Sequence, residues 1–149
     1  MASGDYDGNV VVWRDNPAEP VASFHADGER IEAIAFSPDG QRLATVCGNN
    51  SERRAILEIR DSIQWTVQTR LQVGGSGITS IAWSPDATTL AIATMGRPST
   101  IFFVTQNHLE SVEFPETEFC SICFSPDGQY LAGGAEDGAI TIWSFESQK

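Results

Sequence analysis

Apolar and polar positions alternate with a period of two along most of the chain. Ile31, Ala33 and Ala35 fall on one side of such a stretch, and Glu32, Ile34 and Phe36 on the other. Apolar residues on both sides mark a strand covered on both faces. The richest runs in β-branched and aromatic residues are Val10-Val-Val-Trp13, Ile56-Leu-Glu-Ile59, Ile101-Phe-Phe-Val104 and Ile140-Thr-Ile-Trp143, side chains that suit a pleated surface. Weaker strands are predicted over 21–24, 67–73 and 109–114. No stretch carries the 3.6-residue period of an amphipathic helix, so the expected class is all-β.

The strands are joined by a recurring corner. Ile34-Ala-Phe-Ser-Pro-Asp-Gly40, Ile81-Ala-Trp-Ser-Pro-Asp-Ala87 and Ile122-Cys-Phe-Ser-Pro-Asp-Gly128 are versions of one phrase, with their serines 47 and 41 residues apart. Proline fixes φ at the second turn position, and glycine accepts the conformation that closes the turn. A period of roughly 40–50 residues is the mark of a repeat architecture. Counting strands gives the second, third and fourth of one unit, two complete four-strand units, then the first, second and third of another. The expected fold is therefore about three and a half four-stranded antiparallel blades, a partial or half β-propeller, since radial stacking covers both faces of each sheet. The units are placed at 1–30, 31–77, 78–118 and 119–149.

Charge narrows the function. Nine basic and twenty acidic residues give a formal net charge of −11, which disfavours phosphate backbones and anionic lipid. No apolar run approaches membrane-spanning length, and the N-terminus shows no signal sequence, so a cytoplasmic protein is expected. Of three cysteines, Cys120 and Cys123 form a C-x-x-C. In a strand, residues three apart point to opposite faces, so this pair neither closes on one metal nor pairs readily. All three are expected to be reduced, buried and hydrophobic in behaviour.

At Gly4-Asp-Tyr-Asp7-Gly-Asn-Val-Val-Val-Trp13-Arg-Asp15 and Gly134-Ala-Glu-Asp137-Gly-Ala-Ile-Thr-Ile-Trp143 the chain resembles the WD40 repeat family. The resemblance extends over nearly the whole chain through the three Ser-Pro-Asp corners. It implies a hydrogen-bonded His–Ser–Asp–Trp set clipping each blade, and assigns structural roles to Ser3, Asp7, Trp13, His25, Asp137 and Trp143. No unit holds the full set: Ile59 and Val104 stand at two of the Trp positions. Rigidity is therefore expected from apolar packing of Phe36, Leu43, Trp83, Leu90, Phe124 and Leu131 rather than from that polar network. A seven-blade ring needs roughly 300 residues, about twice this chain. A segment of a longer propeller, a half-ring that pairs as a homodimer, and a small or open propeller that folds by itself all remain open.

No catalytic constellation emerges. His25 and His108 are the only histidines and lie far apart in sequence. Ser-Pro-Asp-Gly lacks the framing of a nucleophile elbow. Gly74-Gly75-Ser76-Gly77 lacks the lysine and helix of a phosphate loop, and Asp5 with Asp7 lacks the remainder of a calcium loop. No metal, cofactor or enzyme activity is expected. The resemblance implies a non-catalytic scaffold for protein–protein interaction. Small-molecule binding or catalysis at a central channel is the alternative, as is a sensor segment of a larger enzyme. In the family, the loops before the first strand and between the second and third share the rim most used for partners. That rim would here carry Arg30, Arg53, Arg54 and Arg97, with Glu118 and Glu136 toward the C-terminal blade. Arginine forks bind carboxylates bidentately and are enriched at hot spots, so the expected partner is a protein or acidic peptide, not nucleic acid or a membrane.

Overall fold

The alternating pattern folds into fourteen strands: β1 (Ala2–Gly4), β2 (Asn9–Trp13), β3 (Pro20–His25), β4 (Arg30–Phe36), β5 (Arg42–Asn49), β6 (Arg54–Asp61), β7 (Val67–Gly74), β8 (Ile78–Trp83), β9 (Leu90–Thr94), β10 (Ser99–Val104), β11 (Leu109–Phe114), β12 (Phe119–Phe124), β13 (Tyr130–Ala135) and β14 (Ile140–Ser144). The structure is a computed structural model that describes residues 1–14, 19–49, 54–74, 77–106 and 108–145. There is no helix among the described residues. The strands pair in chain order into four antiparallel sheets, β1–β2–β3, β4–β5–β6–β7, β8–β9–β10–β11 and β12–β13–β14. The chain forms two compact units, Met1–Phe36 with Gly40–Gly77, and Ile78–Lys149 with Ser37–Asp39.

Each Ser-Pro-Asp corner is a small hydrogen-bonded device. The Ser84 hydroxyl donates to Asp86 at 2.6 Å and accepts the Thr89 amide at 2.9 Å, while the Ala87 amide closes the turn on the Ser84 carbonyl. The Ser125 corner repeats this with Asp127 and the Tyr130 amide. Gly40 and Gly128 take φ of 70° and 72°, and Ala87 occupies the same left-handed region at 59°. Hydrogen bonds from the corner serines hold Asp86 and Asp127 below the usual carboxylate range.

The first unit packs Val10, Val12, Ala26, Leu43 and Cys47 into one core, flanked by Phe24, Ile31, Ile34, Phe36 and Trp65. Trp65 stands in the turn between β6 and β7, with its ring stacked on Phe24 and edge-on to Phe36. Asp61 shapes that turn by accepting the amides of Ile63, Gln64 and Thr66 and the Thr66 hydroxyl. These bonds, the Thr66 hydroxyl first, lower its pKa to about 2. A depressed carboxylate stabilises the fold above its unfolded pKa and stops doing so as pH falls through the folded value. The Asp61 contribution is thus present above about pH 4 and gone near pH 2. Asp61→Asn should flatten the acid limb of a stability–pH curve between those values, and an unchanged limb would contradict the assignment.

The second unit packs Ala91, Ala93, Ile101, Phe119, Ile122 and Leu131 together, flanked by Ala82, Phe103, Phe114, Phe124 and Trp143. Leu43, Leu90 and Leu131 are buried as expected. One expectation fails. Cys47 is buried, but Cys120 and Cys123 are exposed and share one face instead of taking opposite ones, because a bulge between Phe119 and Ser121 shifts the alternation of β12 and leaves Phe119 and Ile122 on the buried side. Beside the apolar packing, the first unit holds a buried ionic network distinct from the His–Ser–Asp–Trp set. Glu58, with no exposed surface, sits within β6 and is gripped by Arg60 from the same strand at 2.7 Å and by Arg70 across the ladder on β7. Arg70 reaches on to Asp27 at 2.9 Å, and Arg60 donates to the Trp65 carbonyl while its guanidinium lies 4.3 Å above the Phe24 ring.

Candidate interaction surface

The positions assigned from the family pattern fall in several places. Trp13 Nε1–H donates to Ser3 Oγ at 3.0 Å across the β1–β2 ladder. The corresponding Trp143 faces Gly133, which has no hydroxyl, and packs instead against the rings of Phe114 and Phe119. The turn after β1 is organised by Asp5, not Asp7: Asp5 accepts the amides of Asp7 and Asn9 and the Asn9 side chain. Those bonds, chiefly the Asn9 side chain, hold Asp5 below the usual carboxylate range. Asp137 does the equivalent work in the turn before β14 by accepting the Ala139 amide. His25 ends β3 opposite Asn9 in the ladder, one residue C-terminal to Phe24 of the core.

The candidate rim residues lie in both units. In the first, Arg30 and Arg54 stand at the same end of the second sheet, opposite Gly48 and Asn49 of β5 respectively. Arg30 is already engaged, with Nε and Nη2 both on Glu32 Oε1 at 3.0 and 2.7 Å. That pairing raises the Arg30 pKa and removes its fork from an incoming carboxylate. Arg53 lies outside the described residues.

In the second unit the geometry is more defined. The segment between β9 and β10 is fixed at both ends: Ser99 Oγ donates to the Thr94 carbonyl at 2.6 Å, and the Thr100 amide donates to Thr94 Oγ1 at 3.0 Å. Gly96, with φ of 111°, gives its amide to Glu118 Oε1 at 3.3 Å. The Glu118 carbonyl in turn accepts the Glu136 amide. Glu118 therefore ties the 95–99 loop to the start of β12 and to the 135–138 turn. Met95 and Arg97 point to solvent from this anchored loop, and no ion pair holds Arg97 among the described residues.

A groove of about 330 Å³ lies at the corners of the same unit, lined by Ser84, Pro85, Asp86, Asp127, Gly128 and Phe145. One oxygen of each aspartate is spent on its own corner. Among the described residues no three His, Cys, Asp or Glu side chains are placed to hold a metal. Cys47 is a poor nucleophile, its thiol pushed up to about 12 by burial.

The comparisons agree with this architecture. The WD domain, G-beta repeat profile matches residues 18–51 and 107–144. Meiotic fizzy-related protein 1 of Schizosaccharomyces pombe is 24% identical over 153 residues, an alignment covering all of this chain and 35% of that protein. Protein transport protein sec13 of Aspergillus clavatus is 29% identical over 98 residues, covering 58% of this chain and 32% of its own length. A solved chain from the crystal structure of the mitotic checkpoint complex superimposes with a TM-score of 0.74 at 22% identity, over 98% of this chain and 45% of that one. That likeness establishes a fold of the WD40 propeller type. The chain spans about a third of the length of these curated relatives.

Proposed function

The chain belongs to the WD40 repeat family, and from that premise we propose that it is a non-catalytic scaffold that binds other proteins through loops of its sheets. The carrying observation is the 95–99 loop. Its ends are hydrogen-bonded to Thr94 and its middle to Glu118, so little conformational entropy is lost when a partner docks on it. It presents Met95 and Arg97, side chains of the kind enriched at protein interfaces. The Arg97 fork suits a carboxylate on the partner, which narrows the proposal to a protein or peptide with an acidic residue at that contact.

The test is affinity capture by the tagged chain with quantitative mass spectrometry. Arg97→Glu should remove the captured proteins, while Arg14→Glu, on an exposed residue after β2, should retain them. An unchanged partner set with Arg97→Glu would exclude the loop. Capture of no protein by the unaltered chain would exclude the scaffold reading itself.

A further inference from the structure

Two of the Ser-Pro-Asp corners stand side by side in the second unit. A Cβ built on Gly128 of one would lie 3.5 Å from Pro85 Cδ of the other, and Phe145 closes the third side of the groove between them. The Phe145 amide donates to the Gln129 carbonyl at 2.7 Å. Its half-buried ring packs on Phe103 and Phe124, with centroids 5.6 and 5.0 Å away. The aromatic wall is therefore fixed before any ligand arrives.

The two carboxylates on this groove are only half used. Asp86 Oδ1 accepts the Ser84 hydroxyl and both the amide and the hydroxyl of Thr88. Asp127 Oδ1 accepts the Ser125 hydroxyl and the Gln129 amide. Among the described residues, Oδ2 of each accepts nothing from another residue and no cation pairs with either side chain. Hydrogen bonds from the corner serines lower both pKa values, so both groups are charged at neutral pH. Residues 78–149 have Arg97 and Lys149 as their only arginine and lysine, against nine acidic residues. Arg97 leaves from the opposite end of β9.

Two carboxylates repel a phosphate or another carboxylate, and with no third ligand they do not make a metal site. A volume of about 330 Å³ is ample for one long side chain and small for a cofactor. What matches all three walls is a flat cation. A guanidinium addresses two oxygens at once with its fork and stacks its face on an aromatic ring.

We propose that this groove takes an arginine side chain from a basic segment of a partner protein, its guanidinium shared by the free oxygens of Asp86 and Asp127 and laid against the Phe145 ring. The groove and the 95–99 loop lie at opposite ends of β9, so this is a second surface, selecting the charge opposite to that selected by Arg97. It draws on the scaffold reading only for its occupant, a protein.

The test needs no partner. The capped peptide acetyl-Gly-Arg-Gly-amide is titrated into the isotope-labelled full chain and followed by backbone amide shifts. Shifts should concentrate at Gly128, Gln129 and Phe145. The citrulline counterpart, similar in shape but uncharged, should not bind, and the lysine counterpart should bind more weakly. Asp86→Asn and Asp127→Asn keep Oδ1 for the corner and should each weaken binding about threefold, the worth of an exposed ion pair. Phe145→Leu should weaken it to a similar degree by removing the ring face. Shifts scattered over the acidic surface, equal binding of the citrulline or lysine peptide, or full affinity in the double asparagine variant would overturn the proposal. The peptide comparison uses the unaltered chain, so it decides even where a variant fails to fold. Arginine binding at the groove by a chain that captures no protein would sink the scaffold reading alone; capture that depends on Arg97, without arginine binding at the groove, would sink this proposal alone.

Discussion

Glu58→Ala is expected to destabilise the first unit by about 3–5 kcal/mol, the usual cost of leaving a buried cation without its partner. The carboxylate is fully buried and shared between two arginines. Arg70 is half exposed and keeps Asp27, so it can turn to solvent. Arg60 cannot, because its side chain is nearly buried against the Phe24 ring and its Nε already lacks an acceptor. Glu58→Gln preserves the shape and one acceptor, and should lose less. Urea unfolding followed by the fluorescence of Trp13 and Trp65, both in the first unit, with Trp83 and Trp143 replaced by phenylalanine, reads the effect. A loss for Glu58→Ala below about 1 kcal/mol, the worth of an ordinary exposed ion pair, would show that the network is decorative.

Phe119→Ala is expected to cost the second unit a similar 3–5 kcal/mol, through lost transfer free energy and the cavity left behind. The ring is 1% exposed, edge-on to Phe114 at 5.1 Å and to Trp143 at 5.3 Å between centroids, and rests on Gly133. A Cβ on Gly133 would meet Phe119 and Trp143 at 2.9 Å, so neither neighbour is positioned to fill the hole by a small shift. The fluorescence of Trp83 and Trp143, with Trp13 and Trp65 replaced by phenylalanine, reports this transition. Tyr6→Ala, on a side chain 81% exposed, should change stability by less than about 0.5 kcal/mol. Comparable losses at both positions would refute the placement of Phe119 in the core.

The strands and corners were legible because each has a local cause. Period-two patterning sets the strands, proline and glycine set the corners, and the strand count of three, four, four and three follows from them. What lay beyond the sequence was contact between strands. Glu58 reads as one charge in a β-rich run, and only the ladder that sets it opposite Arg70 turns it into the hub of a buried network. A carboxylate flanked by Leu57 and Ile59 was the available signal. Cys120 and Cys123 depart from the expectation because a one-residue bulge after Phe119 shifts the alternation and puts both on the exposed side of β12, and nothing in the sequence marks that bulge. The rim shows the same limit. Arg30 and Arg54 do share one end of a sheet, but the fork of Arg30 is spent on Glu32, two residues along the same strand. Trp65 gave no sequence signal of its role, since its position over Phe24 and Phe36 depends on the turn that Asp61 builds.

The unequal cysteines have a practical consequence. With Cys47 enclosed and Cys120 and Cys123 open to solvent, air oxidation acts on the last sheet alone and joins copies through intermolecular disulfides. Covalent pairs on a non-reducing gel would then record storage history, and oligomeric state has to be weighed on freshly reduced protein.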